Sequence, residues 1–399
     1  MCYLCELKST DQFNNAASST NSALVNGLSI APLELIDQMN VDVTRRSISS
    51  DGYLDYYLHA PGGVVTVSGG NPAGQVIQSL PIAVEDQNFF RSVIVRLGNI
   101  IDLDFREANS APYADVDLYY VPGIDSGGAN PGTTLGVAVS LGQDWEIFLN
   151  SPQLQNNQAY RRYVLIHELG HALGLEHPFD ASDGDVVRGA TSPWNSSFPE
   201  ETVMAYRSPQ SGIWPEFFTN NDLNALAAIW GPEQQRLSNS GDIREGSNIA
   251  EAFVGGQGAD LIRSRGGIDQ LRGGVGIDRL YAGDGNDWLN GNQGDDILHG
   301  QLGDDVIHGG LGNDWLNGGA GNDVLSGDQG ADIFVMSKGF DLVTDFDFLS
   351  GDRLAVASGT EFSIRTVGFD LEVVADFGSL TLQSVDASMI LLSSLIQNI

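Results

Sequence analysis

Eleven residues of the 399-residue chain carry the densest chemistry: His167-Glu168-Leu169-Gly170-His171-Ala172-Leu173-Gly174-Leu175-Glu176-His177. Only six histidines occur in the whole sequence, and three of them stand here. Side chains four apart share one face of a helix, so His167 and His171 can reach the same ion. Glu168, one position on, would flank that ion as a general base for the water it activates. Gly174 can adopt the left-handed conformation that closes helices, which turns the chain and lets His177 come in as a third ligand. Three protein ligands with one position left open are what a catalytic Zn2+ requires; a structural zinc takes a fourth residue, usually Cys.

The elements that must position these residues can be outlined from the pattern. Gln158 to Ile166 has apolar residues without Gly or Pro and predicts the helix that enters the motif. Asp86 to Ile101 predicts a long helix with a stripe of Phe89, Phe90, Val93, Val95, Ile100 and Ile101. Residues 52–58 and 64–67 read as strands joined through Pro61-Gly62-Gly63 into an early β-hairpin. Asp102 to Phe105, Val116 to Val121, Leu135 to Val139 and Trp145 to Leu149 read as four more short strands. Thr219 caps a helix whose apolar residues run from Leu223 to Trp230 and which stops at Gly231-Pro232.

A second signal has a period of nine. Gly recurs from 258 to 330 and Asp two positions later, at Asp260, Asp269, Asp278, Asp287, Asp296, Asp305, Asp314, Asp323 and Asp332. Two residues after each Asp stands one apolar side chain, from Ile262 to Phe334. Each unit is therefore a Gly-rich turn and a short strand with one inward side chain, the pattern of a parallel β-roll. Asp carboxylates and turn carbonyls are the hard oxygen ligands that Ca2+ prefers. The rows of Asp would repel one another without it, so the roll is expected to fold with calcium. Ser264 and Arg265 stand where the second repeat should have its leading glycines, and a cation there is expected to weaken that site. His299 and His308 fall on consecutive repeats, hence on opposite sheets, and should not share a metal.

The eleven-residue motif resembles the long zinc signature of the metzincin metalloproteases. Thr202-Val203-Met204-Ala205-Tyr206 is similar to the methionine turn of that family, and Met204 follows His177 by 27 residues. In the serralysin and astacin branches a Tyr two residues after that Met steadies the oxyanion, and Tyr206 matches it. The resemblance implies an α+β fold: a metzincin zinc-protease domain over 31–240, then an all-β parallel β-roll of RTX type over 241–335. Residues 1–30 would be a leader or propeptide and 336–399 a β-cap and secretion region. It also implies that the edge strand near Leu135 to Val139 pairs with an extended substrate. Phe179 departs from the His-Pro-Gly-Asp that commonly follows the third His, and the match fades between Ala181 and Glu201, a cleft wall in relatives.

Composition narrows the partners. A net charge of −33 disfavours nucleic acid and anionic membranes and favours divalent cations. No apolar run is long enough for a membrane span. Cys2 and Cys5 leave the body of the chain without a disulfide; the pair could ligate a metal, bridge, block the zinc as a propeptide Cys does in matrix-type metzincins, or lie in a tail. No N-terminal signal peptide is evident, in keeping with the type I secretion apparatus that serralysins use, although Gln397-Asn398-Ile399 departs from their usual ending. The resulting expectation is a secreted, monomeric zinc endopeptidase acting on extracellular proteins or peptides. The rivals are an inactive calcium-binding surface or matrix protein and an adhesin-like protein that attaches through the repeats.

Overall fold

The computed structural model describes residues 32–48, 52–67, 75–111, 114–124, 134–140, 144–178, 197–205, 208–385 and 396–398. Cys2, Cys5, the leader, Phe179, Tyr206 and the apolar stretch from Met389 to Leu392 lie outside them. Two compact units divide between Gly231 and Pro232.

The first unit opens with a 3-10 turn at Pro32–Leu35 and helix α1 (Gln38–Ser47). Strands β1 (Tyr53–Leu58), β2 (Gly63–Val67) and β3 (Gln75–Ser79) precede helix α2 (Val84–Leu97). Then come β4 (Asp104–Glu107), β5 (Val116–Val121), β6 (Gly136–Ser140) and β7 (Trp145–Asn150). A single turn α3 (Ser151–Leu154), α4 (Gln158–Ala172) and α5 (Asn220–Trp230) complete the unit. Five strands form one sheet in the order β4-β1-β5-β7-β6, parallel except for β6.

The expected hairpin of 52–58 with 64–67 does not form. Leu54, Tyr56 and Leu58 of β1 are buried together with Asp55, so the strand takes an interior place between β4 and β5. The alternating β2 pairs instead with β3, a strand the sequence pattern did not reveal. Helix α2 starts and ends a few residues earlier than Asp86 to Ile101, because Gly98 follows its last turn. It is fastened to α4 by Asp86, which takes Arg161 at 2.7 Å and the Tyr120 hydroxyl at 3.0 Å.

The second unit is a parallel solenoid. Its strands are β8 (Gln234–Arg236), β9 (Ile243–Glu245), β10 (Ala252–Gln257), β11 (Leu261–Gly266), β12 (Gln270–Val275) and β13 (Arg279–Asp284). They continue as β14 (Trp288–Gln293), β15 (Ile297–Leu302), β16 (Val306–Leu311), β17 (Trp315–Gly321) and β18 (Val324–Gln329). Each pairs with the strand two further on in a register of 18 residues, so alternate strands build two facing sheets. Between them lies a single file of Ile262, Leu271, Leu280, Leu289, Leu298, Ile307, Leu316, Leu325 and Phe334, all fully buried. β8 and β9 add rungs before the first repeat, with Arg244 set over the Phe253 ring.

Strands β19 (Ile333–Val335), β20 (Lys338–Val343) and β21 (Arg353–Val356) extend the solenoid. β22 (Phe362–Val367), β23 (Asp370–Ala375) and β24 (Gly378–Leu382) fold into an antiparallel meander, and β25 (Ile396–Asn398) pairs with β21. His299 and His308 lie on opposite sheets, stacked on Tyr281 and set beside Trp288 respectively. Among the described residues no helix is long and apolar enough to cross a membrane. Because each rung contributes one buried side chain, Leu298→Ala should destabilise the calcium-loaded solenoid by about 2–5 kcal/mol in denaturant unfolding. A loss under about 1 kcal/mol would mean that the file is not close-packed.

Candidate metal centres

Helix α4 is built to present its last turns. Asn157 caps it, accepting from the Tyr160 amide at 3.0 Å, and Tyr160, Tyr163, Val164 and Ile166 anchor it in the core. Its other end is closed by Gly174 at φ +105°, with the Leu175 amide reaching back to the Gly170 carbonyl at 2.9 Å. A side chain at 174 would also strike Val41, so the residue that turns the chain towards His177 has to be Gly. The exposed carbonyls of the last turn are taken up by neighbours: Ala172 by the Thr44 hydroxyl at 2.6 Å, Leu173 by the Trp230 indole at 3.0 Å.

The three imidazoles converge. His171 Nε2 is 3.2 Å from His177 Nε2, which is 3.3 Å from His167 Nε2. Nitrogens bound at about 2.0–2.1 Å in a tetrahedral zinc shell stand about 3.3–3.4 Å apart, so the spacing fits that ion. The other ring nitrogens fix the tautomers. His167 Nδ1 faces the Val203 carbonyl and His171 Nδ1 the Leu175 carbonyl, each at 2.8 Å. Carbonyls only accept, so the protons sit on Nδ1 and the Nε2 lone pairs turn towards one another. Burial holds the His167 pKa well below the ordinary imidazole value and keeps the ring neutral. His167 is fully buried, His171 nearly so, and His177 is the partly exposed member that marks the open side.

Glu168 is fully buried, and burial pushes its carboxyl well above the usual range. Its oxygens have no close hydrogen-bond partner, and the Ala138 backbone on β6 only partly offsets the effect of burial. The carboxylate lies against β6, where a side chain at Gly136 would meet Oε1 at 2.7 Å. Among the described residues β6 is the last strand of its sheet, as expected for 135–139. Met204 is buried beneath the helix, and Gly170 makes room for its sulfur. The turn bearing it is tied from three sides: the Tyr163 hydroxyl donates to the Ala205 carbonyl, and Asp222 accepts from the Thr202 hydroxyl and from the Val203 amide at 2.9 Å.

Asp222 was missed as a site residue. In sequence it is the third residue of a capped helix, and its capping box with Thr219 is present. Nothing local reveals that the same carboxylate also holds the segment whose carbonyl orients His167.

In the solenoid, the nine predicted Asp fall into two buried rows. Within each row one oxygen accepts the amide of the Asp 18 residues earlier, at 2.7 Å for Asp278, Asp296 and Asp314 in turn up to Asp260, Asp278 and Asp296. The rows are longer than the motif: the Asp242 and Glu251 amides donate into them, and Asp341 and Asp352 continue them. Asp341 keeps the nine-residue spacing, which was the available signal; Asp352 is displaced by an insertion.

The second oxygen of Asp260, Asp269, Asp278, Asp287, Asp296, Asp305, Asp314 and Asp323 is buried without a partner. At Gly273, Gly291, Gly300 and Gly318 an added Cβ would fall within 2.4 Å of such an oxygen, so glycine keeps the space beside it open. Orphan carboxylate oxygens facing open space amid carbonyls fit Ca2+. Ser264 donates to the Ala282 carbonyl, and Arg265 pairs outward with Glu245 at 3.4 Å.

The family model of the RTX calcium-binding nonapeptide repeat matches residues 245–280, 263–298, 272–307 and 299–334. The solenoid is therefore a set of RTX calcium-binding repeats. Over 81 residues the chain is 33% identical to a serralysin of Photorhabdus luminescens, a match within the repeat region that covers 18% of this chain. The chain spans only 17% of that relative's length. A crystal structure of an extracellular lipase from Serratia marcescens overlaps 41% of this chain and 40% of its own at 18% identity. Its TM-score of 0.26 carries no argument about fold or activity.

Two outcomes follow from these geometries. Asp222→Ala frees the Thr202–Val203 turn and should weaken zinc binding about tenfold, measured by competition with a chelator; unchanged affinity would show that the turn orients His167 without it. For the solenoid, burial raises Asp305 to about 8, Asp269, Asp287, Asp314, Asp323 and Asp332 to about 7, and Asp296 to about 6. Folded pKa values above the unfolded value of about 3.9 mean stability that is full below about pH 4 and lost as pH rises through 6–8. Calcium-free chain should thus melt at a higher temperature at pH 5 than at pH 8 by circular dichroism, with calcium reversing the order.

Proposed function

We propose that the first unit is a zinc-dependent endopeptidase and that the calcium-bound repeats adapt the chain to work outside the cell. The observation that carries this reading is the trio of Nε2 atoms at 3.2–3.3 Å, with the fully buried Glu168 carboxylate next in the chain to His167. A zinc ion held by His167, His171 and His177 would supply Lewis acidity, polarising a peptide carbonyl and lowering the pKa of water.

The chain's own residues do the rest. Glu168 takes the proton of the attacking water and returns it to the leaving amine. Burial raises the affinity of this carboxylate for a proton, which makes it a stronger base for that transfer. β6, at the sheet edge beside Glu168, offers backbone groups that an extended peptide can pair with. This favours unfolded or loop segments of proteins as substrates. Tyr206 is proposed as the hydroxyl donor to the oxyanion, from its place two residues after Met204.

Extracellular calcium modules bind at about 0.1–1 mM, so the repeats would fold outside the cell and not in the cytosol. RTX repeat proteins are typically exported by type I systems, and the partner proposed for this chain is such an apparatus. The net charge of −33 argues against nucleic acid as a partner.

A second reading is favoured by one observation: the matches to known proteins fall on the repeats, which leaves the chain open to being a calcium-binding surface protein without activity. Hydrolysis of an unfolded protein by the calcium- and zinc-loaded chain separates the two. Glu168→Gln should retain zinc and lose about 10²–10⁴-fold in kcat/KM. Zinc-loaded wild type that cleaves nothing, or a variant as active as wild type, would transfer the case to the second reading.

A further inference from the structure

We propose that two carboxylates of the solenoid rows, Asp269 and Asp287, bind no calcium, because the side chains of Ser264 and Ala282 fill the space the ion would take. The solenoid then loads unevenly. One row of turns offers calcium positions from Asp260 onward, whereas the other offers them only from Asp305 onward. Calcium binding by the repeats is the only premise, so proteolysis does not enter.

An open position has two oxygen walls. At Gly309 an added Cβ would lie 2.5 Å from Asp314 Oδ2 and 2.9 Å from the Gly327 carbonyl oxygen. Ca2+ binds such oxygens at about 2.3–2.6 Å, so a carbon there and the ion compete for one space. Gly255, Gly273 and Gly291 leave the same opening, between Asp260, Asp278 and Asp296 respectively and the carbonyl of the glycine 18 residues on. Gly300 leaves one in the other row, between Asp305 and the Gly318 carbonyl. The register of β11 on β13 and of β13 on β15 sets Ser264 and Ala282 in line with Gly300. Both are fully buried, so at these two rungs a carbon stands where glycine leaves room.

Ser264 also takes over part of the ion's work. Its hydroxyl donates to the Ala282 carbonyl at 2.8 Å, the oxygen that corresponds to the Gly327 carbonyl beside Gly309. Burial raises the Asp269 carboxyl to about 7, and the Ser264 side chain is the largest influence opposing it. Ala282 brings only a methyl group, which joins the apolar file. The rows are closed at their ends in a similar way, by donors of the chain itself. Asp341 Oδ2 accepts the Ser337 hydroxyl at 2.8 Å, and Asp352 Oδ2 the Asp347 amide at 2.7 Å. At the other end Asp242 Oδ2 accepts the Ser238 hydroxyl at 2.7 Å and Glu251 Oε2 the Ser247 amide at 2.7 Å. Arg265, whose charge was expected to weaken the second repeat, turns outward to Glu245 at 3.4 Å and leaves the position to Ser264.

The test counts calcium ions per full-length chain by native mass spectrometry at saturating calcium, with circular dichroism to confirm the fold. Ser264→Gly and Ala282→Gly should each hold one ion more than the wild type. Ser264→Ala keeps a carbon in the space, and Arg265→Gly changes only the outward charge, so both should match the wild type. Gly300→Ala makes the converse change and should hold one ion fewer, which keeps the test decisive if a glycine variant does not fold. A wild-type count in a folded glycine variant or in Gly300→Ala would overturn the proposal. So would one ion fewer in Ser264→Ala, the result expected if the Ser264 hydroxyl were itself a calcium ligand, or an added ion in Arg265→Gly.

Discussion

Three imidazole Nε2 atoms converge at 3.2–3.3 Å in a buried site, a constraint that a shared cation would relieve. The first unit is arranged around that convergence. Val203 and Leu175 carbonyls set the tautomers, and Gly174 bends the chain so that the third ring arrives. Asp222 draws α5, the turn before Met204 and the His167 partner into one hydrogen-bonded set, so the ring is held by an element distant from it in sequence. Trp145, Thr44 and Ala172 form a second chain, joining the central sheet through α1 to the end of α4.

The repeat unit answers a different constraint. Its carboxylates are buried in rows, each with one oxygen bound to a backbone amide and the other left facing open space. Alone, such rows prefer to be protonated; with calcium they become the ligands that join neighbouring turns. The apolar file between the sheets gives cohesion but no register, whereas the 18-residue Asp-to-amide bond fixes which rung sits on which. Glycine is needed where a Cβ would fill the space beside the free oxygen; one residue further on, where the backbone takes a positive φ, Arg265 and Gln301 stand in place of glycine.

Much of this was legible in the sequence for periodic reasons. A helix repeats every 3.6 residues, so His167 and His171 had to be neighbours once Gln158 to Ala172 was helical. The nine-residue pattern dictated alternate sheets, and with it the separation of His299 from His308. What escaped was non-periodic or shared between distant segments. β8 and β9 have Gln235 and Arg244 at the register position that is apolar elsewhere, so the end rungs lacked the signal of the interior ones. The pairing of β2 with β3 instead of β1 was decided by the burial of β1 between two parallel partners, which no local pattern records. Asp222 looked like a helix cap because it is one; its second set of bonds depends on the tertiary fold.

The most direct test of the metal centre is the zinc content and zinc K-edge absorption of the calcium-loaded chain. One zinc per chain is expected, with three imidazole nitrogens and one further light atom at about 2.0–2.1 Å. A chain that excludes zinc under these conditions, or a shell closed by a fourth protein ligand, would contradict the account.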